Sequence, residues 1–306
     1  TSITLLTGAS VNLVLKNVPK GTTSIDWTCS NACLEDAKVS GMVNTVKLTA
    51  IAPRTATVVA KIGTASYSCE VVVPQPEGKK AVYVISKPRG KATIALKNTK
   101  WKVNSFTWTS ENEEIVHVDN QSTGKLVAVA LGTTYVKGVG NNGIEVRIKV
   151  HIPGIKQADP TVLTGATLKL KTANLEKGVT VEWSSRDESV ATVDKSSGLV
   201  TPVSSGTTTI TASTPDGKRY TTEVTVPAPE AKKPEVQIKK VSGGTATVAL
   251  KNTKLKVKDF VWESEDGSVA QVNSSTGKLT SKGSGTTRII GRRNKLAVYV
   301  TVRVGS

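Results

Sequence analysis

The chain has 306 residues and a formal net charge of +17, and aromatic side chains make up only 4% of it. No apolar run reaches the roughly 18 residues that a membrane-spanning helix needs, so we predict no membrane span in this chain. β-Branched residues are abundant and are punctuated by Gly, Ser, Asn and Pro, a mixture that favours strands and turns. We therefore predict an all-β protein.

An internal repeat organises the chain. Residues 92–110 read ATIALKNTKWKVNSFTWTS, and residues 246–264 read ATVALKNTKLKVKDFVWES. A weaker match precedes each of them, since Leu6-Thr7-Gly8-Ala9 is similar to Leu163-Thr164-Gly165-Ala166. We infer that a unit of two modules has been duplicated.

A shorter repeat lies within the long one. Each copy begins with a tryptophan followed two residues later by serine, continues into an aliphatic strand, and then carries two glycines eight residues apart. The copies are Trp108 with Gly124 and Gly132, Trp183 with Gly198 and Gly206, and Trp262 with Gly277 and Gly285. Short strands separated by glycine turns about every ten residues are typical of a β-sandwich.

These residues resemble the group 2 bacterial immunoglobulin-like domains. That family's pattern is W-x-S, an aliphatic strand, G-x-L/V, then G-T-T/A and a final β run, and it is strong from residue 76 onward. It weakens in residues 1–75, because Trp27-Thr28-Cys29 replaces W-x-S and Pro53-Arg54-Thr55 stands where Gly-Thr is expected. We expect the same fold there, since residues 57–59 lead into the usual closing strand.

We predict four tandem immunoglobulin-like β-sandwich modules in an extended rod. Short proline-rich linkers separate them, and proline stiffens a spacer. The first module is divergent and holds all three cysteines, and the second and fourth carry most of the excess positive charge. The predicted limits are 1–75, 76–154, 155–229 and 230–306.

The sequence offers no catalytic constellation. His117 and His151 stand in separate predicted strands, and HExxH, GxSxG and phosphate-loop patterns are absent. Carboxylates cluster at residues 111–114 and 187–188, as in calcium sites, but the matching loops differ in spacing, so we expect solvated loops. We predict no enzyme, no cofactor and no metal site.

Four tryptophans occupy one repeat position, which predicts core packing between two sheets. They are Trp27, Trp108, Trp183 and Trp262. Trp101 replaces Leu255 of the matching segment, which indicates a half-buried apolar site. The alternative for Trp101 is contact with a ligand.

The cysteines Cys29, Cys33 and Cys69 raise the question of a disulfide. We expect Cys29 to share the face of Trp27, and Cys69 to share that of Val71, so that both point into the core. In an oxidising compartment a Cys29–Cys69 bridge is preferred and a Cys33–Cys69 bridge is the rival. Free buried thiols remain an alternative.

A repeated lysine strand is the candidate ligand-binding feature. Alternation puts Lys100 and Lys102 on one face, opposite Trp101, and does the same for Lys254 and Lys256. These two basic stripes predict a site for a polyanion, whereas nucleic acid is a weaker prediction because interleaved aromatic residues are few. The alternative is an edge strand that lysines protect against aggregation.

The resemblance implies a non-catalytic, extracellular structural or adhesive stalk of the bacterial cell surface. Its expected partners are a host or cell-wall glycan or anionic polymer, a surface protein, or further copies of the chain. Two alternatives remain open. They are a carbohydrate- or polyanion-binding accessory region of a larger secreted protein, and a subunit of a phage particle or surface filament.

Overall fold

The computed structural model describes residues 1–38 and 42–305. The chain divides into two compact units, Thr1–Pro153 and Gly154–Ser306. Both units consist of short β-strands, with two 3-10 helices at Val103–Ser105 and Val257–Asp259. The predicted all-β class is confirmed.

The strands of the first unit are β1 (Ser2–Thr4), β2 (Ser10–Val14), β3 (Asp26–Cys29), β4 (Leu34–Lys38), β5 (Thr45–Ala50), β6 (Arg54–Ile62), β7 (Ala65–Val73), β8 (Glu77–Gly78), β9 (Val82–Val84), β10 (Lys91–Thr93), β11 (Leu96–Lys97), β12 (Phe106–Ser110), β13 (Val116–Asn120), β14 (Lys125–Ala128), β15 (Gly132–Gly140) and β16 (Glu145–Ile152).

The strands of the second unit are β17 (Gly154–Ile155), β18 (Leu168–Lys169), β19 (Thr172–Ala173), β20 (Glu182–Ser185), β21 (Ala191–Val193), β22 (Leu199–Pro202), β23 (Gly206–Ser213), β24 (Arg219–Val226), β25 (Glu230–Ala231), β26 (Glu235–Ile238), β27 (Thr245–Thr247), β28 (Leu250–Lys251), β29 (Val261–Ser264), β30 (Ala270–Val272), β31 (Lys278–Ser281), β32 (Gly285–Arg293) and β33 (Leu296–Val304).

Each unit contains two hydrophobic clusters, and each cluster draws side chains from a larger and a smaller sheet. We name the sandwiches by their strands: first (β1–β7), second (β8–β16), third (β17–β24) and fourth (β25–β33). Their smaller sheets have the orders β2-β5-β4, β10-β14-β13, β18-β22-β21 and β27-β31-β30. The first sandwich follows the same plan as the others, although its sequence pattern is the weakest.

The larger sheets close in a common way. In the first, second and fourth sandwiches the orders are β1-β7-β6-β3, β9-β16-β15-β12 and β26-β33-β32-β29. In each, the first strand of this larger sheet (β1, β9 or β26), called its opening strand, pairs in parallel with the closing strand (β7, β16 or β33). The third sandwich has the three-stranded order β20-β23-β24. An isolated parallel bridge between Thr161 and Thr225 stands in the place of its opening strand.

Three of the four repeat tryptophans are core residues, as predicted. Trp108, Trp183 and Trp262 are buried between the sheets of their sandwiches. Trp27 is only half-buried, although it packs against the first cluster. Its indole nitrogen is buried and has no hydrogen-bond partner within the described part of the chain.

Glycine makes room for the buried indole in the second and fourth sandwiches. Trp108 stands opposite Gly138, and Trp262 opposite Gly291, whereas the first and third sandwiches have alanine at that position. A Cβ added at Gly291 would lie 2.6 Å from Cη2 of Trp262. The packing of the indole therefore requires glycine at these two positions.

The lysine segment differs from its prediction. β11 and β28 end one residue before Asn98 and Asn252, whose φ angles of 60° and 58° turn the chain out of the sheet. Asparagine adopts this left-handed conformation more readily than most residues do. The predicted lysine strand, and with it the edge-strand explanation, is wrong. The alternation of exposure holds, because Lys100 and Lys102 are exposed and Trp101 is half-buried.

The strand register corrects the preferred disulfide. Cys29 pairs with Val58, and Val58 pairs with Cys69 on its other side. Two strand spacings separate the Cα atoms of Cys29 and Cys69 by about 9.6 Å, and a disulfide needs less than about 7 Å. The predicted Cys29–Cys69 bridge is therefore excluded in this fold, and all three cysteines are free thiols.

The contact between tryptophan and glycine gives a first prediction. Gly291→Ala should lower the free energy of unfolding of the fourth sandwich by about 1–3 kcal/mol, because the methyl group meets the indole of Trp262. Chemical denaturation measures the change. Gly267→Ala is the matched control in the same sandwich, since its added Cβ meets nothing closer than 3.9 Å. Equal losses from the two substitutions would contradict the packing argument.

Candidate functional site: a repeated joint flanked by lysines

The loop that follows β11 docks on the turn that precedes β2. Thr7 and Thr99 form a parallel bridge, and the backbone N–H of Lys100 donates to the carbonyl oxygen of Thr7 at 2.8 Å. The hydroxyl of Thr99 donates to the same oxygen at 3.1 Å. The indole of Trp101 covers Gly8, where an added Cβ would lie 2.5 Å from Cδ1 and Nε1. We call these five residues the first joint.

The second unit repeats this arrangement. The N–H of Lys254 donates to the carbonyl oxygen of Thr164 at 2.9 Å, and the hydroxyl of Thr253 donates to it at 3.0 Å. Leu255 covers Gly165, where an added Cβ would lie 2.9 Å from Cδ2 of that leucine. These residues form the second joint. The backbone contacts are thus the same whether tryptophan or leucine fills the apolar position.

Local hydrogen bonds hold each docking loop in shape. The hydroxyls of Thr99 and Thr253 accept the N–H of the residue two positions later, both at 3.0 Å. Such a turn closed by a threonine side chain fixes the direction of the apolar residue. Gly8 and Gly165 have φ angles of 82°, a conformation that favours glycine.

The corresponding loops of the first and third sandwiches differ. Asn17 and Asn174 have the same left-handed conformation, with φ angles of 55° and 56°. They are followed by Val18-Pro19 and by Leu175-Glu176 instead of Thr-Lys. The docking residues therefore belong to the second and fourth sandwiches, and the sequence signal for them is Asn-Thr-Lys after the short strand.

Trp101 is part of the joint. Its ring meets Phe106 edge to face, with 6.1 Å between ring centroids, and it packs against the core of the second sandwich. Its other contact is with Gly8 of the first sandwich. The half-buried apolar site predicted from Leu255 is found, and the indole connects the second core with the first sandwich.

Polar contacts add to the first joint. The side-chain amide of Gln75 donates to the carbonyl oxygen of Glu145 at 2.7 Å. The side-chain amide of Asn142 donates to the carbonyl oxygen of Ile51, also at 2.7 Å. Ala52 packs against both clusters of the first unit. The first and second sandwiches are therefore held by contacts on more than one loop.

The four candidate lysines lie at the two joints, where Lys100 and Lys254 are joint residues and Lys102 and Lys256 follow the apolar residue. Lys100 and Lys102 stand on either side of Trp101, Lys254 and Lys256 stand on either side of Leu255, and all four lysines are exposed. Within residues 1–38 and 42–305, no salt bridge joins any of the four to a carboxylate. The structure brings the lysines together in pairs, one pair at each joint.

The predicted acidic loops are engaged in contacts within the protein. Arg147 donates two hydrogen bonds to Glu111, at 2.6 and 2.7 Å, and these bonds lower the pKa of that carboxyl. Glu113 contacts the exposed His117 at 2.6 Å. Asp187 accepts a hydroxyl and an amide bond from the residue two positions on, and the hydroxyl bond is the larger cause of its lowered pKa.

Among the residues that the structure describes, no group of three His, Cys, Asp or Glu side chains is placed to hold a metal ion. No described helix has the length and apolar character needed to cross a membrane.

The family comparison agrees with these sandwiches. A family model described as "Bacterial Ig-like domain (group 2)" matches residues 79–150 and 154–226. Residues 79–150 and 154–226 are therefore tandem group 2 bacterial immunoglobulin-like domains. The two matched segments coincide with the second and third sandwiches. The fourth sandwich lies outside the matched segments, and it repeats the sheet orders and the docking loop of the second.

Several solved structures resemble the chain weakly. The S-layer protein rSbsC is 15% identical with a TM-score of 0.25, and the match covers 99% of this chain and 54% of that one. The titin I9–I11 tandem is 13% identical with a TM-score of 0.26, covering 74% and 96%. The insect immune protein hemolin is 11% identical with a TM-score of 0.22, covering 99% and 97%. The chain spans about half the length of the S-layer protein.

At these TM-scores the likenesses carry no argument about function. No curated protein matches the sequence.

The close approach of Trp101 to Gly8 gives the second prediction. Gly8→Ala and Gly143→Ala both place alanine at positive φ, 82° and 79°, which costs about 1–2 kcal/mol each. Gly8→Ala alone should lower the free energy of unfolding by about a further 1–3 kcal/mol, because its methyl group meets the indole of Trp101. An added Cβ at Gly143 meets nothing within 4 Å. Denaturation of the intact chain compares the two.

A double substitution tests the cause. Gly8→Ala combined with Trp101→Ala should lose less stability than the sum of the single changes, because removing the indole removes the clash. If the losses of stability were additive, the backbone conformation alone would explain why position 8 requires glycine.

Proposed function

We propose that this chain is a non-catalytic structural or adhesive stalk of the bacterial cell surface, made of four immunoglobulin-like modules with limits at 1–75, 76–154, 155–229 and 230–306. The observation that carries the proposal is the joint. The same loop, the same threonine carbonyl oxygen and the same covered glycine recur in both units. Duplication of a two-module unit accounts for the repetition, and the presence of the same contacts in both copies supports a role in connecting neighbouring modules.

A spacer needs modules that fold separately and connections that keep them in order. Each sandwich has its own hydrophobic cluster, which supports the first requirement. The joints and the short proline-containing linkers support the second, because docked loops and proline both restrict the relative motion of neighbours. The family assignment supports a position outside the cell. We propose no reaction for this chain.

Solution scattering tests the stalk. Modules of about 30–40 Å set in a row make a thin rod of about 120–160 Å, with a radius of gyration of about 35–46 Å. A compact chain of this length would have a radius of gyration of about 19 Å. A measured value near 20 Å would exclude the stalk. Trp101→Ala with Leu255→Ala should broaden the distribution of distances by loosening both joints.

A second candidate function is binding of a polyanion, and the exposed lysine pairs favour it. The backbone of the loops that carry Lys100, Lys102, Lys254 and Lys256 is held in place by the joints, so little backbone conformational entropy remains to be lost on binding. Two ammonium groups on one docked loop attract a chain of carboxylates, phosphates or sulfates. An anionic cell-wall polymer or a host glycan is the partner that we propose.

A glycan and polyanion array at two salt concentrations tests this second function. The intact chain should bind anionic polymers, binding should weaken at high salt because exposed charges are screened, and serine at all four joint lysines should abolish it. The control carries Lys125→Ser, Lys149→Ser, Lys278→Ser and Lys282→Ser, which removes the same charge from exposed sites of the same two sandwiches. Equal loss in both variants would assign the binding to net charge instead of the joints.

A further inference from the structure

The first sandwich departs from the other three at a core position. The carbonyl oxygen of Cys33 accepts the N–H groups of Ile51 and Ala52, and the carbonyl oxygen of Val190 accepts the N–H groups of two successive residues in the same way. The same pair of bonds identifies the equivalent residues of the four sandwiches as Cys33, Ile115, Val190 and Val269. A thiol thus stands where the other sandwiches have a branched aliphatic side chain.

A neighbouring position changes with it. In the other sandwiches a glycine faces this side chain, and an added Cβ would lie 2.8 Å from Ile115 at Gly132 and 2.9 Å from Val190 at Gly206. In the first sandwich the facing residue is Arg54, whose carbonyl oxygen lies 3.8 Å from Sγ of Cys33. A thiol is smaller than the isoleucine and valine side chains at the equivalent positions, so this corner needs no glycine opposite it.

The second departure lies four residues earlier. The N–H of Ser30 donates to the carbonyl oxygen of Thr57, and the same bond follows the serine of the W-x-S pattern in each other sandwich. Cys29 is therefore the equivalent of Ser110, Ser185 and Ser264. Both replacements in this corner of the first sandwich introduce a thiol.

Asn31 brings the two cysteines together. Sγ of Cys29 donates to the carbonyl oxygen of Asn31 at 3.2 Å, and the side-chain oxygen of Asn31 accepts the N–H of Cys33 at 2.9 Å. Cys29 and Cys33 also pack against the same cluster, to which Cys69 does not belong. Two of the three thiols therefore share one corner, and the third lies apart from them.

We propose that Cys29 and Cys33 form a disulfide in an oxidising compartment, tying β3 of the larger sheet to β4 of the smaller sheet. The oxidant is a low-molecular-weight disulfide such as oxidised glutathione. The thiolate of Cys29 attacks it and releases one glutathione thiolate, and the thiolate of Cys33 then attacks Sγ of Cys29 and releases the second. The two cysteines lose two protons and two electrons, and the glutathione disulfide is reduced to two thiols.

Burial sets the order of these steps. Cys29 is half-buried and meets the oxidant first, whereas Cys33 is 2% exposed. Burial, followed by the nearby Cys29, raises the pKa of the Cys33 thiol. Because the thiolate is the nucleophile, closure of the bridge should become faster as the pH rises towards that pKa.

Peptide mapping of the full chain tests the bridge. The chain is equilibrated in glutathione buffers of increasing oxidised fraction, alkylated and digested with trypsin. Cleavage after lysine puts Cys29 and Cys33 in the peptide of residues 21–38, and Cys69 in that of residues 62–79. We expect residues 21–38 to lose two hydrogen atoms and escape alkylation, while residues 62–79 stay alkylated. A cross-link between the two peptides, or two alkyl groups on residues 21–38 at every ratio, would overturn the proposal.

Variants give an independent readout. Cys29→Ser, which restores the serine of the other sandwiches, should abolish the difference in thermal midpoint between oxidised and reduced chain. Cys69→Ala should keep that difference. The proposal would be overturned if the redox difference in thermal midpoint disappeared in Cys69→Ala and persisted in Cys29→Ser. Where a variant fails to fold, the peptide mapping of the unsubstituted chain decides the pairing.

Discussion

One backbone oxygen in each unit organises the contact between neighbouring sandwiches. The carbonyl of Thr7, or of Thr164, accepts an amide and a hydroxyl bond from the docking loop, and the adjacent glycine lies under an apolar side chain. Both threonines are buried, so an unpaired carbonyl oxygen there would be costly. The docked arrangement satisfies that oxygen, and the lysines on either side take their positions from it.

The two joints differ in the residue that covers the glycine. Trp101 and Leu255 have different sizes and shapes, yet the backbone bonds around them agree to within 0.1 Å. The threonine and its hydrogen-bond partners therefore set the position of the docking loop, and the apolar residue supplies contact area. A duplicated unit can exchange that side chain without losing the connection.

Periodicity in the sequence predicted the all-β class, the buried tryptophans and the alternating exposure of the lysines, because all three depend on local pattern. It missed the joint, whose partners Thr7 and Thr99 lie 92 positions apart. Alternation also predicted correctly that Cys29 and Cys69 face inward. It could not predict that β6 lies between their strands, so the predicted bridge was wrong. The prediction of a lysine strand was wrong from Asn98 onward, because a single residue at positive φ ends a strand that the composition alone would continue.

The parallel pairing of opening and closing strands determines how a sandwich responds to tension along its length. In the first, second and fourth sandwiches a pull on the two ends loads a short ladder of bonds in shear, so that these bonds must break together. The third sandwich has an isolated bridge at that place. We therefore expect the third sandwich to resist such a pull less than its neighbours do, because fewer paired residues share the load.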